Sequence, residues 1–164
     1  MRQNKDLGLV RIDDRLIHGQ VITIWVKALR SSRIVIVDDG VAADSFMQEV
    51  MRLAAPPEIT VDVCTVQEAM TALGDDTPDR DRILVLLKLP QVAEQLYKGG
   101  VKFKALNVGG IGAGPGRRSV FKNISMSDEE IATLKRLMEE GVEITLQTVP
   151  GEKCVAFTSL ASKL

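Results

Sequence analysis

The run Leu7-Gly8-Leu9-Val10-Arg11-Ile12, then Asp13-Asp14-Arg15-Leu16-Ile17-His18-Gly19-Gln20, then Val21-Ile22-Thr23-Ile24-Trp25-Val26-Lys27-Ala28-Leu29 is the segment on which the fold turns. Its first part is an apolar run suited to a buried strand, and its last part carries apolar residues at helical spacing. The charged residues between them therefore connect a strand to a helix. The single histidine of the chain, His18, stands at that junction.

A strand-to-helix junction supplies much of what a histidine nucleophile for phosphate needs. The first amides of a helix lack intrahelical partners and point outward with the positive end of its dipole, so an anion beside Gly19 and Gln20 is stabilised there. The same field disfavours imidazolium and keeps the ring a neutral nucleophile. Arg15 brings a planar, permanently charged fork suited to phosphoryl oxygens. Asp13 or Asp14 can accept a hydrogen bond from one ring nitrogen and leave the other to attack. The spacing leaves the choice between them open. Two plainer readings compete: a hydrogen-bonded structural histidine, and a solvated Asp-Asp-Arg turn whose exposed ion pairs contribute roughly 0 to 1 kcal/mol. One imidazole and two adjacent carboxylates fall short of a closed metal site.

Arg11-Ile12-Asp13-Asp14-Arg15-Leu16-Ile17-His18-Gly19-Gln20-Val21 closely resembles the active-site segment of the IIB component of the mannose/fructose/sorbose-type bacterial sugar phosphotransferase system (PTS). The similarity continues through Thr23, Trp25 and Lys27, the segment from Val37 to Asp44, Ala55-Pro56-Pro57, Gly99-Gly100-Val101-Lys102 and Asn107-Val108-Gly109-Gly110. The resemblance implies that His18 accepts a phosphoryl group, on Nδ1, from a phosphohistidine of a IIA component. It implies transfer onward to a sugar held by membrane IIC and IID components.

Working outward, 164 residues suit one domain able to bury a core without cross-links. With 21 basic and 22 acidic side chains, nothing global points to nucleic acid. Cys64 and Cys154 are too far apart in sequence for a paired metal motif and read as buried small residues of a reducing cytoplasm. Residues 1–6 lack the apolar core of a signal peptide, and no run approaches the ~20 residues needed to span a bilayer. A soluble cytoplasmic protein is expected, reaching the membrane only through partners.

Short β-branched runs alternate with helical stretches, which predicts α/β architecture: one three-layer domain over 1–164, its mainly parallel central sheet flanked by helices. Helix one should run from Gly19 to Leu29 with Val21, Trp25, Ala28 and Leu29 on its buried stripe. Strands are expected at 33–37, 59–64, 83–87 and 105–108. A single helix is expected over 41–54, stopped by Pro56-Pro57. Thr65 with Glu68, and Ser127 with Glu130, read as capping boxes. A polar surface loop is expected over 74–81, and a helix from Pro90 to Lys98 closed by Gly99-Gly100. A half-exposed strand over 142–149 and a short terminal helix with Phe157, Leu160 and Leu164 complete the pattern.

Two motifs suggest nucleotides and fail on context. Asp38-Asp39-Gly40 sits where a dinucleotide fold places its ribose-binding acid, yet the first strand leads into Asp-Asp-Arg rather than a glycine fingerprint. Gly109-Gly110-Ile111-Gly112-Ala113-Gly114-Pro115-Gly116 follows a strand as a P-loop does, but the next residues, Ser119 to Asn123, read as extended and the motif's lysine is missing. It is expected to form a flexible loop at the His18 edge, with Arg117 and Arg118 available to a phosphoryl group or an acidic partner. The resulting reading is a phosphoryl carrier with His18, Arg15, Asp13 and Asp14 as catalytic residues. Gly19, Gln20, Arg117 and Arg118 serve as phosphoryl-binding residues, and the chemistry calls on no cofactor or metal. The rivals are a regulatory or anion-binding module on the same fold, and a nucleotide binder using the glycine loop.

Overall fold

A computed structural model describes residues 6–74 and 80–164. The amino-terminal stretch 1–5 and positions 75–79 of the expected polar loop lie outside the described residues. Nine strands and seven helices follow one another among those described: β1 (Asp6–Asp13), α1 (Gly19–Leu29), β2 (Arg33–Val37), α2 (Asp39–Ala42), α3 (Ser45–Ala54), β3 (Thr60–Cys64), α4 (Val66–Gly74), β4 (Arg82–Leu87), α5 (Pro90–Lys98), β5 (Ala105–Gly110), β6 (Arg117–Phe121), β7 (Ile124–Ser127), α6 (Asp128–Glu139), β8 (Glu143–Leu146), β9 (Val155–Ala156) and α7 (Phe157–Ala161).

Seven strands form one sheet in the order β3-β2-β4-β1-β5-β8-β9, parallel except for β9, while β6 and β7 form a separate antiparallel hairpin. The central position of β4 follows from its sequence. Ile83 to Leu87 is apolar at every position and fully buried, as a parallel strand covered on both faces must be. Ile83, Val85 and Leu87 face one core layer, under α4, α5, α6 and α7, while Leu84 and Leu86 face the other, under α1 and α3. Each fully buried Leu, Ile or Val of this kind is stabilised by about 1.5 to 3 kcal/mol relative to exposure. The domain is thus three layers, α/β/α, as the alternation of patterns predicted.

Local differences have identifiable causes. The helix expected over 41–54 is two helices, because Asp38 caps Val41 (2.9 Å to its amide) and Asp44 caps Met47 (3.1 Å), restarting the chain between them. On α1 the buried residues are Ile22, Trp25 and Val26, and Ala28 is exposed. Both expected capping boxes form. The strand expected over 142–149 is shorter, and short β9 pairs against it. Cys154 is exposed and Cys64 half-buried, both as free thiols, so neither is the fully buried residue expected. Among the described residues no helix is long and apolar enough to cross a membrane.

Parallel strands bring the carboxyl ends of β2, β4, β1 and β5 to one edge, where open α/β sheets place their sites. The end of β1 leads into the His18 segment, and the end of β5 lies beside it, with Asp13 registered against Gly110.

Candidate functional site

Along β1, Leu9, Arg11 and Asp13 project to the α1 side of the sheet, and the last two are fully buried. A charged pair inside a sheet must satisfy itself. Arg11 Nη2 donates to Asp13 Oδ2 at 3.0 Å, while its Nη1 donates to Asn107 Oδ1 and, at 3.1 Å, to the carbonyl of Gln147. The Trp25 ring lies over the Arg11 guanidinium at 5.0 Å, and the indole N–H donates to Thr148 O at 2.9 Å. Trp25 is therefore core and the lid on a buried cation at once. Desolvation draws Arg11 down to about 10, with Asp13 opposing the shift.

Arg15 completes the clamp from the solvent side. Its Nε donates to Asp13 Oδ1 and its Nη2 to Asp13 Oδ2, both at 3.1 Å, and its own backbone N–H also donates to Oδ1 at 3.1 Å. Asp13 thus lies between two guanidiniums, one buried and one about half exposed. The fork is held by its carboxylate side, which leaves the rest of Arg15 toward solvent and available to an anion.

The glycines at the end of β5 make this possible. A methyl group on Gly109 would lie 2.0 Å from Arg11 Nη2, and one on Gly110 would lie 3.1 Å from Arg15 Nη2 and 3.3 Å from Asp13 Oδ1. The Gly-Gly pair is therefore strand, not the start of a flexible loop, and its bare backbone is where both arginines rest. Ile111 beyond it is buried and bridges to Ile124.

His18 sits at the N-cap of α1, and no side chain caps that helix. Leu16 adopts a left-handed conformation (φ 56°), with its N–H on Asp13 O at 2.9 Å and its carbonyl 3.1 Å from His18 Nδ1. A carbonyl only accepts, so in this rotamer the proton is on Nδ1. Nε2 is buried, has no hydrogen-bond partner, and faces Asp13 Oδ2 across 3.8 Å. The ring as a whole is one-fifth exposed. Gly19 has φ 47°, a left-handed turn that a residue without a Cβ takes at no steric cost, and both Gly19 and Gln20 are exposed at the helix start.

The remaining expected site residues are placed differently. Asp14 turns from the imidazole to the glycine loop, accepting from the Gly112 amide at 2.8 Å. Arg117 is paired within the chain: its Nε and Nη2 donate to the two Glu130 oxygens at 3.0 and 3.2 Å, and its Nη1 donates to Gly112 O at 3.0 Å. Arg118 points to the carboxyl terminus, pairing with Asp128 at 3.3 Å and donating to Leu164 O at 3.2 Å. Both placements have one cause: residues 117–121 pair with 124–127 as a hairpin that runs into α6, so the arginines meet α6 acids. The residues not given a role from sequence are Arg11, Asn107 and the Gly109–Gly110 seat. A signal existed for the first: a charge two residues from Asp13 in a buried strand shares its face and needs it.

The family model described as "PTS system sorbose subfamily IIB component" matches residues 7–163. The mannose-specific EIIAB component of the PTS from Escherichia coli K12 is 35% identical over 158 residues, covering 96% of this chain and 49% of that protein. This chain thus spans about half the length of that relative. The sorbose-specific EIIB component from Lacticaseibacillus casei is 33% identical over 87% of each chain. Among solved structures, the IIBSor domain of the sorbose permease from Klebsiella pneumoniae superposes with a TM-score of 0.91 at 30% identity, covering 96% of this chain and 97% of that one. The manxB structure from Thermoanaerobacter tengcongensis gives 0.92 at 33% identity, covering 99% and 98%. With a matching family model over nearly all its length, and a site built on the segment that carries the resemblance, the chain belongs to the sorbose subfamily of IIB components of the PTS.

Proposed function

We propose that this protein carries phosphoryl groups on His18, from the phosphohistidine of a IIA component to a sugar bound by membrane IIC and IID components during uptake. The observation that supports this most is the seat of the ring: an imidazole at the uncapped start of α1, beside an arginine whose position Asp13 fixes from behind. In the transfer, a neutral His18 nitrogen attacks phosphorus as the P–N bond of the donor breaks. The donor leaves as neutral imidazole, its other nitrogen keeping its proton, and His18 becomes the N-phosphoryl imidazolium. Charge on the three phosphoryl oxygens in flight is met by Arg15 and by the first amides of α1 at Gly19 and Gln20. Because one P–N bond replaces another, positioning and electrostatics carry the catalysis.

Asp13, rather than Asp14, is the carboxylate that orients the ring. Phosphorylation at Nδ1, as the resemblance implies, calls for the proton to move to Nε2. Closing the 3.8 Å gap then gives Nε2–H an acceptor in Asp13 and draws Nδ1 off the Leu16 carbonyl. The reading places the protein in the cytoplasm, where the donor is charged from phosphoenolpyruvate.

The test is to supply labelled phosphoenolpyruvate, the general phosphocarriers and the IIA component of the same system. Wild type should gain an acid-labile, base-stable label, and His18→Ala none. Label persisting in His18→Ala overturns the assignment, and nitrogen NMR of the phosphorylated protein should place phosphorus on Nδ1.

A further inference from the structure

Gly112 is held on both sides of its Cα, through the two peptide groups that flank it. Its N–H donates to Asp14 Oδ2 at 2.8 Å, and its carbonyl accepts from Arg117 Nη1 at 3.0 Å. Arg117 is in turn fixed by a two-bond contact with Glu130, which is buried and also accepts from the Ser127 amide at 2.9 Å. A backbone bond from Asp14 N–H to Gly110 O, at 3.0 Å, runs alongside. The glycine loop over 112–116 is otherwise exposed or partly so, and its composition favours mobility. Two charged side chains from different parts of the chain thus converge on one residue of an intrinsically pliant loop. One of them lies four residues from His18.

The geometry points to Asp14 and Arg117 as positioning residues for phosphoryl transfer: together they fix the glycine loop as a rigid wall beside the His18 ring. The inference rests on the phosphoryl-carrier reading of His18. Neither side chain touches the reacting atoms. Asp14 acts through the Gly112 amide, Arg117 through the Gly112 carbonyl, and Glu130 keeps Arg117 in place. The step they serve needs donor nitrogen, phosphorus and His18 nitrogen in line. The loop begins two residues after Gly110, the glycine that seats Arg15, and its Gly112 amide is bonded to Asp14, four residues from His18, which sets it at the same edge as the ring. A displacement of about 1 Å in such a site can cost on the order of a hundredfold in rate. The charge-assisted form of both bonds suits them to hold a segment whose only side chains, those of Ala113 and Pro115, are small.

Single-turnover transfer from phosphorylated IIA, measured for wild type, Asp14→Ala, Asp14→Asn, Arg117→Ala and the double alanine variant, tests this. Each alanine change should lower the maximal rate about tenfold or more while the IIA concentration at half-saturation moves less than about threefold. Asp14→Asn, whose amide oxygen still accepts from Gly112, should recover to within about threefold of wild type. The double variant should be no slower than the slower single one, because both act on the two peptide groups of one residue. Hydrogen exchange at the Gly112 amide should accelerate in both alanine variants, at unchanged melting temperature in Asp14→Ala, whereas Arg117→Ala also loses the stability of its contact with buried Glu130. Additive losses, or an asparagine variant as slow as the alanine one, overturn the proposal. If wild type takes no label, the carrier reading of His18 fails, and exchange alone then judges the tether: unchanged Gly112 exchange in Asp14→Ala refutes it.

Discussion

Helices α1 and α4 both follow a strand of the same sheet, yet their starts are built in opposite ways. At α4, Thr65 and Glu68 satisfy each other's backbone amides at 3.1 Å, and Glu68 places a negative charge in the first turn. The start of α6 repeats the device with Ser127 and Glu130 and adds Asp128 and Glu129. At α1 the N-cap is His18, no side-chain bond is made to the helix, and the first turn holds no acid. A helix start left uncapped forgoes about 1 kcal/mol of stabilisation. What α1 gains is an unspent positive end facing an imidazole, with two guanidiniums behind it. Helices α5 and α7 also begin without a side-chain cap or a first-turn acid, so it is the imidazole and Arg15 beside the start of α1 that, on the proposed reading, make it a seat for an anion.

The contrast breaks first if the cations behind α1 lose their seat. Gly109→Ala forces a methyl to within 2.0 Å of a fully buried guanidinium that Asp13, Asn107 and the Gln147 carbonyl hold in place. Unfolding free energy should fall by about 3 kcal/mol in urea denaturation, the largest effect foreseen here. Next, Gln20→Glu makes the start of α1 resemble that of α4. The acid should stabilise the helix by about 0.3 to 1 kcal/mol, yet slow phosphoryl acceptance on the order of tenfold, by placing a like charge beside the incoming oxygens. A thermal melt read alongside a labelling time course checks both signs. Unchanged labelling would mean that the open start does not take part. Third, Thr65→Ala should cost about 1 kcal/mol and leave labelling unchanged, since α4 spends its cap on itself.

The two kinds of start were legible to different degrees in the sequence. Thr65-x-x-Glu68 and Ser127-x-x-Glu130 are local patterns, and local hydrogen bonds realise them. The strand, junction and helix around His18 were equally readable, because apolar periodicity changes from strand to helix across a charged connection. Partners distant in sequence were not. Arg11 bonds to Asn107, 96 residues away, and its room depends on Gly109 being bare, which no spacing rule announces. Asp13 and Asp14 look equivalent in sequence, but Asp13 ends β1 and faces the α1 side while Asp14 lies in the turn that follows and bonds to Gly112. Arg117 and Arg118 read as available to a phosphoryl group or an acidic partner, and the chain gives no sign of which acids a hairpin will bring them to, Glu130 and Asp128 of α6.

The smallest effect is a pH dependence that a capped start has and the open one lacks. Burial by itself would raise the Glu130 carboxyl, but hydrogen bonds from Arg117 and Ser127 outweigh it and hold the group below its ordinary value. A carboxyl depressed in the folded state contributes stability that is complete above the unfolded value, about 4.3, and disappears as pH falls through the lower folded one. The stability difference between wild type and Glu130→Gln should therefore be constant at neutral pH and close as the solution is acidified below that value. The same acid should loosen Arg117 from Glu130 and, through it, the carbonyl end of Gly112. The first turn of α1 carries no acid, so no matching loss should arise there. A difference that persists undiminished in strong acid would show that Glu130 acts through its neutral hydrogen bonds, and the electrostatic account of the capped start would then have to be given up.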